Sequence, residues 1–353
     1  LYFKVVTFES NSIPKENMRV NFFTENKNTI DEVNQFIDEW YSETEYMTVR
    51  TSGSTGTPKE IQLYKKHLVT SAKMTRDHLG LKKNGTALLC LSPKTIAGKM
   101  MIIRSIIIGM DLTITNVSGN PLEGINEGFD FTAMVPIQLE NSIHSELSTL
   151  QKIKTILVGG GSVSNGLIDR IAELSCQVHH TFGMTETISH IAMRNLSKKE
   201  NEFKALPNVH FSLQNECLLI HAPELGVFDL KTTDTVELTS PTSFIWKGRK
   251  DFVINSGGIK IHPEEIEQIL SQMIAAPFFI IGLEDSKLGN KVVMCIESKE
   301  TNAYSKSTFT NLLDIYQIPK EIYFFNTFCR TESNKINKLE TITVISDAKK
   351  QVL

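Results

Sequence analysis

The chain has 353 residues, 41% of them hydrophobic, and a formal net charge of −3, a length beyond what one core usually fills, so a large and a small domain are expected. Its Lys-Lys pairs at 65–66, 82–83, 198–199 and 349–350 are scattered, which excludes a nucleic-acid surface, and the longest apolar run, Met100 to Met110, is broken by Arg104 and Ser105 and falls short of the roughly 18 residues of a membrane span. Five widely spaced cysteines, Cys90, Cys176, Cys217, Cys295 and Cys329, form no CxxC pair; this argues against disulfides and zinc, and for a reducing, cytoplasmic location without a signal peptide.

In chain order, Phe3 to Phe8 reads as an opening strand. Thr29 and Glu32 read as a capping box, and Val33, Phe36, Ile37, Trp40 and Tyr41 fall at the spacing of one helix face. Tyr46 to Arg50 then reads as a strand delivering Thr51-Ser52-Gly53-Ser54-Thr55-Gly56-Thr57-Pro58-Lys59. Hydroxyls interleaved with glycines and closed by Lys suit the wrapping of a polyphosphate. The pattern is not Walker A, because the glycines are too close together and no Gly-Lys-Ser/Thr follows; a plain Ser/Gly linker is the alternative. A helix with Leu68, Ala72, Thr75 and Leu79 on its inner face is expected directly after the loop. Next come a strand at Thr86 to Leu91, a helix at Gly98 to Met110 and a strand at Leu112 to Val117, an alternation that predicts parallel α/β layering.

Ile153 to Val158 reads as a strand ending in Gly159-Gly160-Gly161, with Ser164 capping the helix after it. Glycines at the carboxyl end of a parallel strand either admit a ligand or simply make a tight turn. Val178-His179-His180 leads into Thr181-Phe182-Gly183-Met184-Thr185-Glu186-Thr187. The histidine pair has no further ligand at metal spacing, whereas Glu186 beside threonine hydroxyls suits Mg²⁺ bridging to phosphates. Hairpin-like strands from Phe211 to Trp246 predict a small β subdomain. Pro263 with Glu264 and Glu265 opens a helix, where the smaller domain begins. Its strands are expected at Pro277 to Gly282, Val292 to Glu297 and Glu321 to Phe325, with a helix between Ser305 and Tyr316.

The Ser/Gly loop, the Gly-Gly-Gly turn, Phe-Gly-Met-Thr-Glu-Thr and Gly248-Arg249-Lys250-Asp251 followed by Ser256-Gly257-Gly258 occur in that order over residues 51 to 338. Together they resemble the adenylate-forming acyl-CoA ligase superfamily. Within it, Ile96-Ala-Gly-Lys-Met-Met101 and Gly183 to Met193 look most like the o-succinylbenzoate:CoA ligase branch of menaquinone biosynthesis. The resemblance implies a large domain over residues 1 to 249, built of layered α/β sheets with a small β subdomain, and a small mobile α+β domain over 250 to 353. It implies ATP, Mg²⁺ and CoA as cosubstrates and cofactors with a small carboxylic acid, and leaves a homo-oligomer open.

The same resemblance implies roles. Thr51, Ser52, Gly53, Ser54, Thr55, Gly56 and Lys59 would hold the β- and γ-phosphates; Gly159, Gly160, Gly161, Phe182 and Gly183 would sandwich the adenine. Thr185 would meet the α-phosphate, Glu186 would bind Mg²⁺, and Asp234 with Arg249 would grip the ribose. Asp251 would be the hinge, Gly257 and Gly258 would line the path of pantetheine, and Lys335 would contact both acid and α-phosphate. The chain departs from the family pattern in Asn334 before that lysine, in Phe182 where tyrosine is common, and in Thr95 at the usual aromatic or His gate. An aromatic dicarboxylate would need a donor or cation for its spare carboxylate. Lys99 and Arg104 on the helix after Thr95, and Ser189, His190 and Arg194 past Glu186, are the candidates, with ordinary solvated charge as the alternative for the cations. His190 and Arg194 would share a face if that stretch is helical. Carrier-protein loading and nucleotide binding without turnover are the alternative functions.

Overall fold

The computed structural model describes residues 18–50, 60–301, 304–330 and 336–353, together with the course of a strand at Tyr2–Lys4. Among the described residues a 13-stranded sheet runs through the first two thirds of the chain. Its parallel half has, in spatial order, Val20–Phe23, Asp111–Thr115, Thr86–Leu89, Phe131–Met134, Thr155–Val158 and Gln177–Gly183. The order reverses at Thr86–Leu89, because the chain first adds a strand on one side of it and then continues on the other. In open α/β sheets the crevice outside the carboxyl ends at such a reversal is where ligands enter.

Both faces of this half are covered, and the strands read accordingly. Ala87 and Leu89 pack into one apolar cluster with residues of the helices α1 (Lys27–Tyr41), α2 (Lys65–Leu79) and α3 (Ile96–Ile108), while Leu88 faces a second cluster with Ile156, Val158 and Leu167. Alternation thus persists within a run that is apolar throughout, as expected of a parallel sheet buried on both sides. α3 is apolar nearly all round, and residues from Met100 to Ile106 are buried without a break. That makes it an interior helix rather than a surface one.

Several local expectations are corrected. Asn26, not Thr29, caps α1: its side chain accepts from the Asn28 and Thr29 amides, and Thr29 lies inside the helix. The Ser/Gly loop does not run straight into a helix. Strand Glu60–Tyr64 intervenes and pairs antiparallel with Tyr46–Arg50, Arg50 opposite Glu60. His190–Asn195 is a strand and not a helix. Strand Phe131–Met134 and helix Pro136–Ser145 add a β–α unit that the periodicity reading passed over.

The antiparallel β block is hydrogen-bonded onto the parallel half through His190–Asn195 and Phe203–Ala205, and it carries the hairpin His210–Gln214 with Cys217–Ala222. The first sheet ends at Arg249. A second sheet starts at Ile254 and is built around Gly289–Glu297, with Val292, Met294 and Ile296 in one apolar cluster and Val293 and Cys295 in another. Among the described residues, no helix is long and apolar enough to cross a membrane.

Candidate active site

The carboxyl ends of Thr155–Val158 and Gln177–Gly183 lie side by side, which brings the Gly159–Gly161 turn next to Thr181 and Gly183. Thr181 donates its hydroxyl proton to the Val158 carbonyl at 3.1 Å, and a Cβ on Gly159 would collide with that hydroxyl. Gly160 sits at φ +80°, which an L side chain rarely adopts. His180 fixes the far end of the turn: its Nε2 donates to the Gly161 carbonyl at 3.1 Å while Nδ1 accepts from Arg194 Nε at 3.2 Å. Burial and the neighbouring Arg194 charge push its pKa down to about 3, so the ring is neutral and structural.

The Thr-Glu-Thr motif forms a 3₁₀ turn, Thr185–Thr187. Thr187 holds it: its Oγ1 accepts from the Met184 amide at 2.9 Å and lies 2.8 Å from the Ser189 carbonyl. The following residue, Ile188, has φ +70°. A β-branched residue there stores strain of about 1–3 kcal/mol, a cost usually met at ligand-binding turns. Gly183 permits the close approach, since a Cβ would fall against the Ser189 carbonyl and His190 Cα. The turn leaves Glu186 exposed, Thr185 half-buried and Thr187 buried. A free carboxylate beside a hydroxyl fits a hard divalent cation.

Behind this turn lies a second centre. Arg104, on α3, is 2% exposed, and its guanidinium reaches Thr75 Oγ1 on α2 (Nε, 3.3 Å), Ser189 Oγ (Nη2, 2.7 Å) and His190 Nδ1 (Nη2, 3.4 Å). No described carboxylate pairs with it. Burial pushes its pKa down to about 9, which still leaves it charged at neutral pH. A buried cation faced only by neutral dipoles is costly unless an anion joins it. The signal for its burial was present in the sequence, because a helix apolar on every side leaves no solvated face for Arg104.

The other candidates go elsewhere. Lys99 leaves the site: its ammonium lies over the Phe36 ring, 4.7 Å from the centroid, and 3.9 Å from Glu39 on α1. Thr95 is the N-cap of α3, its Oγ1 accepting from the Gly98 amide at 3.2 Å and donating to the Ser92 carbonyl at 2.8 Å. His190 and Arg194 do not act together. A bulge between His190 and Ala192 changes the alternation, so His190 meets Thr75 and Arg104 whereas Arg194 meets His180, Asn201 and the Phe203 ring. Phe182 packs edge-on against Phe244, 5.0 Å between centroids.

At the end of the first sheet, Asp234 and Arg249 are cross-strand partners. Asp234 accepts from the Trp246 indole at 2.8 Å; burial raises its pKa, opposed by that bond and by Arg249. Arg249 donates to Thr233 Oγ1 at 2.8 Å and to Asp251 Oδ2 at 2.7 Å. A half-buried carboxylate with one oxygen already committed, beside a guanidinium, has the chemistry to accept from a diol. Gly257 and Gly258, at φ +59° and +85°, form the two-residue turn between Ile254–Ser256 and Ile259–Ile261, where positive φ at both positions matches a type I′ hairpin. Thr51, Ser52, Gly53, Ser54, Thr55, Gly56, Lys59 and Lys335 lie outside the described residues.

The sequence pattern of the AMP-binding enzyme family matches residues 19–217, and the chain belongs to that family. It is 33% identical to an acyl-CoA synthetase (AMP-forming)/AMP-acid ligase II-like protein from Dyadobacter fermentans, with a TM-score of 0.61, covering 91% of this chain and 95% of that one. The 2-succinylbenzoate–CoA ligase of Listeria monocytogenes is 29% identical over 340 residues, 87% of this chain and 72% of that protein. The fold also matches o-succinylbenzoate coenzyme A synthetase of Bacillus subtilis in complex with ATP and magnesium ion, with a TM-score of 0.75 at 23% identity over 84% of this chain and 69% of that one.

Proposed function

We propose that this protein is an AMP-forming acid:CoA ligase whose acid is 2-succinylbenzoate, acting through an acyl-adenylate that CoA then converts to the thioester, in the cytoplasm and within menaquinone biosynthesis. Membership of the AMP-binding family and the likeness to ligases of that name support the reaction class. The choice of acid rests on Arg104: a buried cation without a described carboxylate is the partner that the unreacted carboxylate of an aromatic dicarboxylate requires, and a fatty acid brings none.

In this reading Thr51 to Lys59 cradle the β- and γ-phosphates, the Gly159–Gly161 turn with Phe182 and Gly183 borders the adenine, and Asp234 with Arg249 accepts and donates to the ribose hydroxyls. Thr185 touches the α-phosphate, and Glu186 would hold Mg²⁺, which supplies positive charge at the phosphates. An attacking carboxylate and an α-phosphate repel each other, so the barrier falls when fixed donors and cations face the developing charge. In this reading Lys335 takes that role. Asp251, tied to Arg249, marks the hinge between residues 1–249 and 250–353; rotation there would exchange Lys335 for the Gly257-Gly258 turn, whose lack of side chains leaves a path for pantetheine.

The test is pyrophosphate release, with and without CoA, over 2-succinylbenzoate, benzoate and medium-chain fatty acids. Release that requires 2-succinylbenzoate, and a thioester only when CoA is added, is the expected result. Preference for a monocarboxylate overturns the substrate, and no acid-dependent release at all overturns the enzyme reading.

A further inference from the structure

Thr75, on α2, belongs to none of the motifs above, yet it is fully buried at the meeting point of three polar groups. Its Oγ1 lies 3.0 Å from the Ser71 carbonyl, 3.3 Å from Arg104 Nε and 2.9 Å from His190 Nε2. A hydroxyl has one proton and two lone pairs. The carbonyl can only accept, so it takes the proton; Arg104 Nε can only donate, so it takes one lone pair. His190 is left with the second lone pair, and its Nε2 must therefore carry hydrogen.

A neutral imidazole protonated at Nε2 is bare at Nδ1. Nδ1 lies 3.4 Å from both Arg104 Nη2 and Ser189 Oγ, where a bare nitrogen accepts from the guanidinium. In the opposite tautomer a bare Nε2 would face the Thr75 oxygen, whose proton is already given to Ser71, and the Nδ1 hydrogen would have only Ser189 Oγ to accept it beside the guanidinium donors. Burial, followed by the Arg104 charge, holds the His190 pKa well below its usual value, in keeping with a neutral ring. The Nε edge and Nη2 of Arg104 are then fully engaged, and Nη1 alone donates to no described group.

We infer that Thr75 is a specificity-determining positioning residue: its hydroxyl fixes the His190 tautomer and one edge of the Arg104 guanidinium, so that the two N–H groups of Nη1 are presented to the second carboxylate of the acid. The inference rests on the acid reading proposed above for Arg104. Thr75 acts through its two neighbours and does not touch substrate. Its methyl group is core packing, and only its hydroxyl carries the effect.

Two measurements on the full-length enzyme test it. By ¹⁵N NMR of histidine-labelled protein, with the His190 signal assigned by its loss in His190→Gln, the wild type should be protonated at Nε2. Protonation at Nδ1 overturns the inference, whatever the acid proves to be. In the ligase assay Thr75→Val should raise KM for 2-succinylbenzoate on the order of tenfold, the usual effect of losing a hydrogen bond to a charged group, without a comparable rise in KM for ATP. Thr75→Ser should restore both the KM and the tautomer. Equal defects in the Ser and Val variants, or an unchanged KM in Val, overturn it. If Thr75→Val does not fold, the wild-type tautomer and the Ser variant still decide. If the wild type rejects 2-succinylbenzoate, the acid reading fails separately, and the NMR result stands by itself.

Discussion

Around Asp234 each charge meets an opposite one: Arg249 bonds Asp251 at 2.7 Å, and Asp234 has the Trp246 indole and Arg249 beside it. Around Arg104 the described residues offer only neutral dipoles, from Thr75, Ser189 and His190. The first region is electrostatically complete and suits a ligand that brings hydroxyls. The second is a positive centre with no anion among the described residues, and it suits a ligand that brings a carboxylate. On the proposed function, one scaffold would separate recognition of the nucleotide from recognition of the particular acid.

The sharpest way to break this comparison is Arg104→Gln. Removing a buried cation from its ligand carboxylate typically costs a factor on the order of 10² or more, so kcat/KM for 2-succinylbenzoate should fall by about that much. Because the charge has no described counter-ion, the same change should raise the Tm of the ligand-free protein, as removal of an uncompensated buried ion does. A matching loss of activity and of Tm would show instead that Arg104 is structural. Asp234→Asn tests the other side with a smaller effect: KM for ATP should rise by about tenfold, the loss of one charge-assisted bond, while KM for the acid stays near the wild-type value. A defect shared equally by both substrates would dissolve the division between the regions.

Much of this is legible in the sequence. The α1 face was readable because Val33, Phe36, Ile37 and Trp40 obey a period that only a helix satisfies, and all four are buried. Ser164 caps its helix as read, accepting from the Leu167 amide at 3.2 Å. What failed was the arbitration between competing local signals. Glu60–Tyr64 alternates like a strand, with Ile61 and Leu63 turned inward, but the expectation of a loop feeding a helix concealed it. At His190–Asn195 the bulge defeats any periodicity, since one extra residue swaps the faces. Lys99 and Arg104 read alike as helix cations, although the apolar residues around Arg104 signal its burial; what the sequence did not show is the tertiary packing that sends Lys99 to Glu39 and gives Arg104 its polar partners. Thr75 was readable as a buried position on the helix after the loop, but not its role, which comes from residues 29 and 115 positions away.

Glu264 offers a third solution to buried charge, and the smallest expected effect. It opens the helix Pro263–Leu270 just past the change of sheet and presses against Gly248, where a Cβ would overlap its Oε2. That oxygen has no described hydrogen-bond partner. Burial above all, with Glu267 acting in the same direction and Lys338 against it, pushes the carboxyl from 4.5 up to about 7. The native state therefore binds a proton that the unfolded state has released between those two values, and stability must fall as pH rises through that window. At about 1.4 kcal/mol per pH unit the loss above neutrality is at most ~3.5 kcal/mol, reduced further by whatever water reaches the group. Glu264→Gln removes the titration and keeps the shape. Its Tm should exceed that of the wild type by a few degrees at about pH 8, and the gap should close toward about pH 5, where the wild-type carboxyl is itself neutral in the folded protein. A gap that does not change with pH would mean that Glu264 stays ionised, and that the join between the sheets balances its charge as completely as Asp251 balances Arg249.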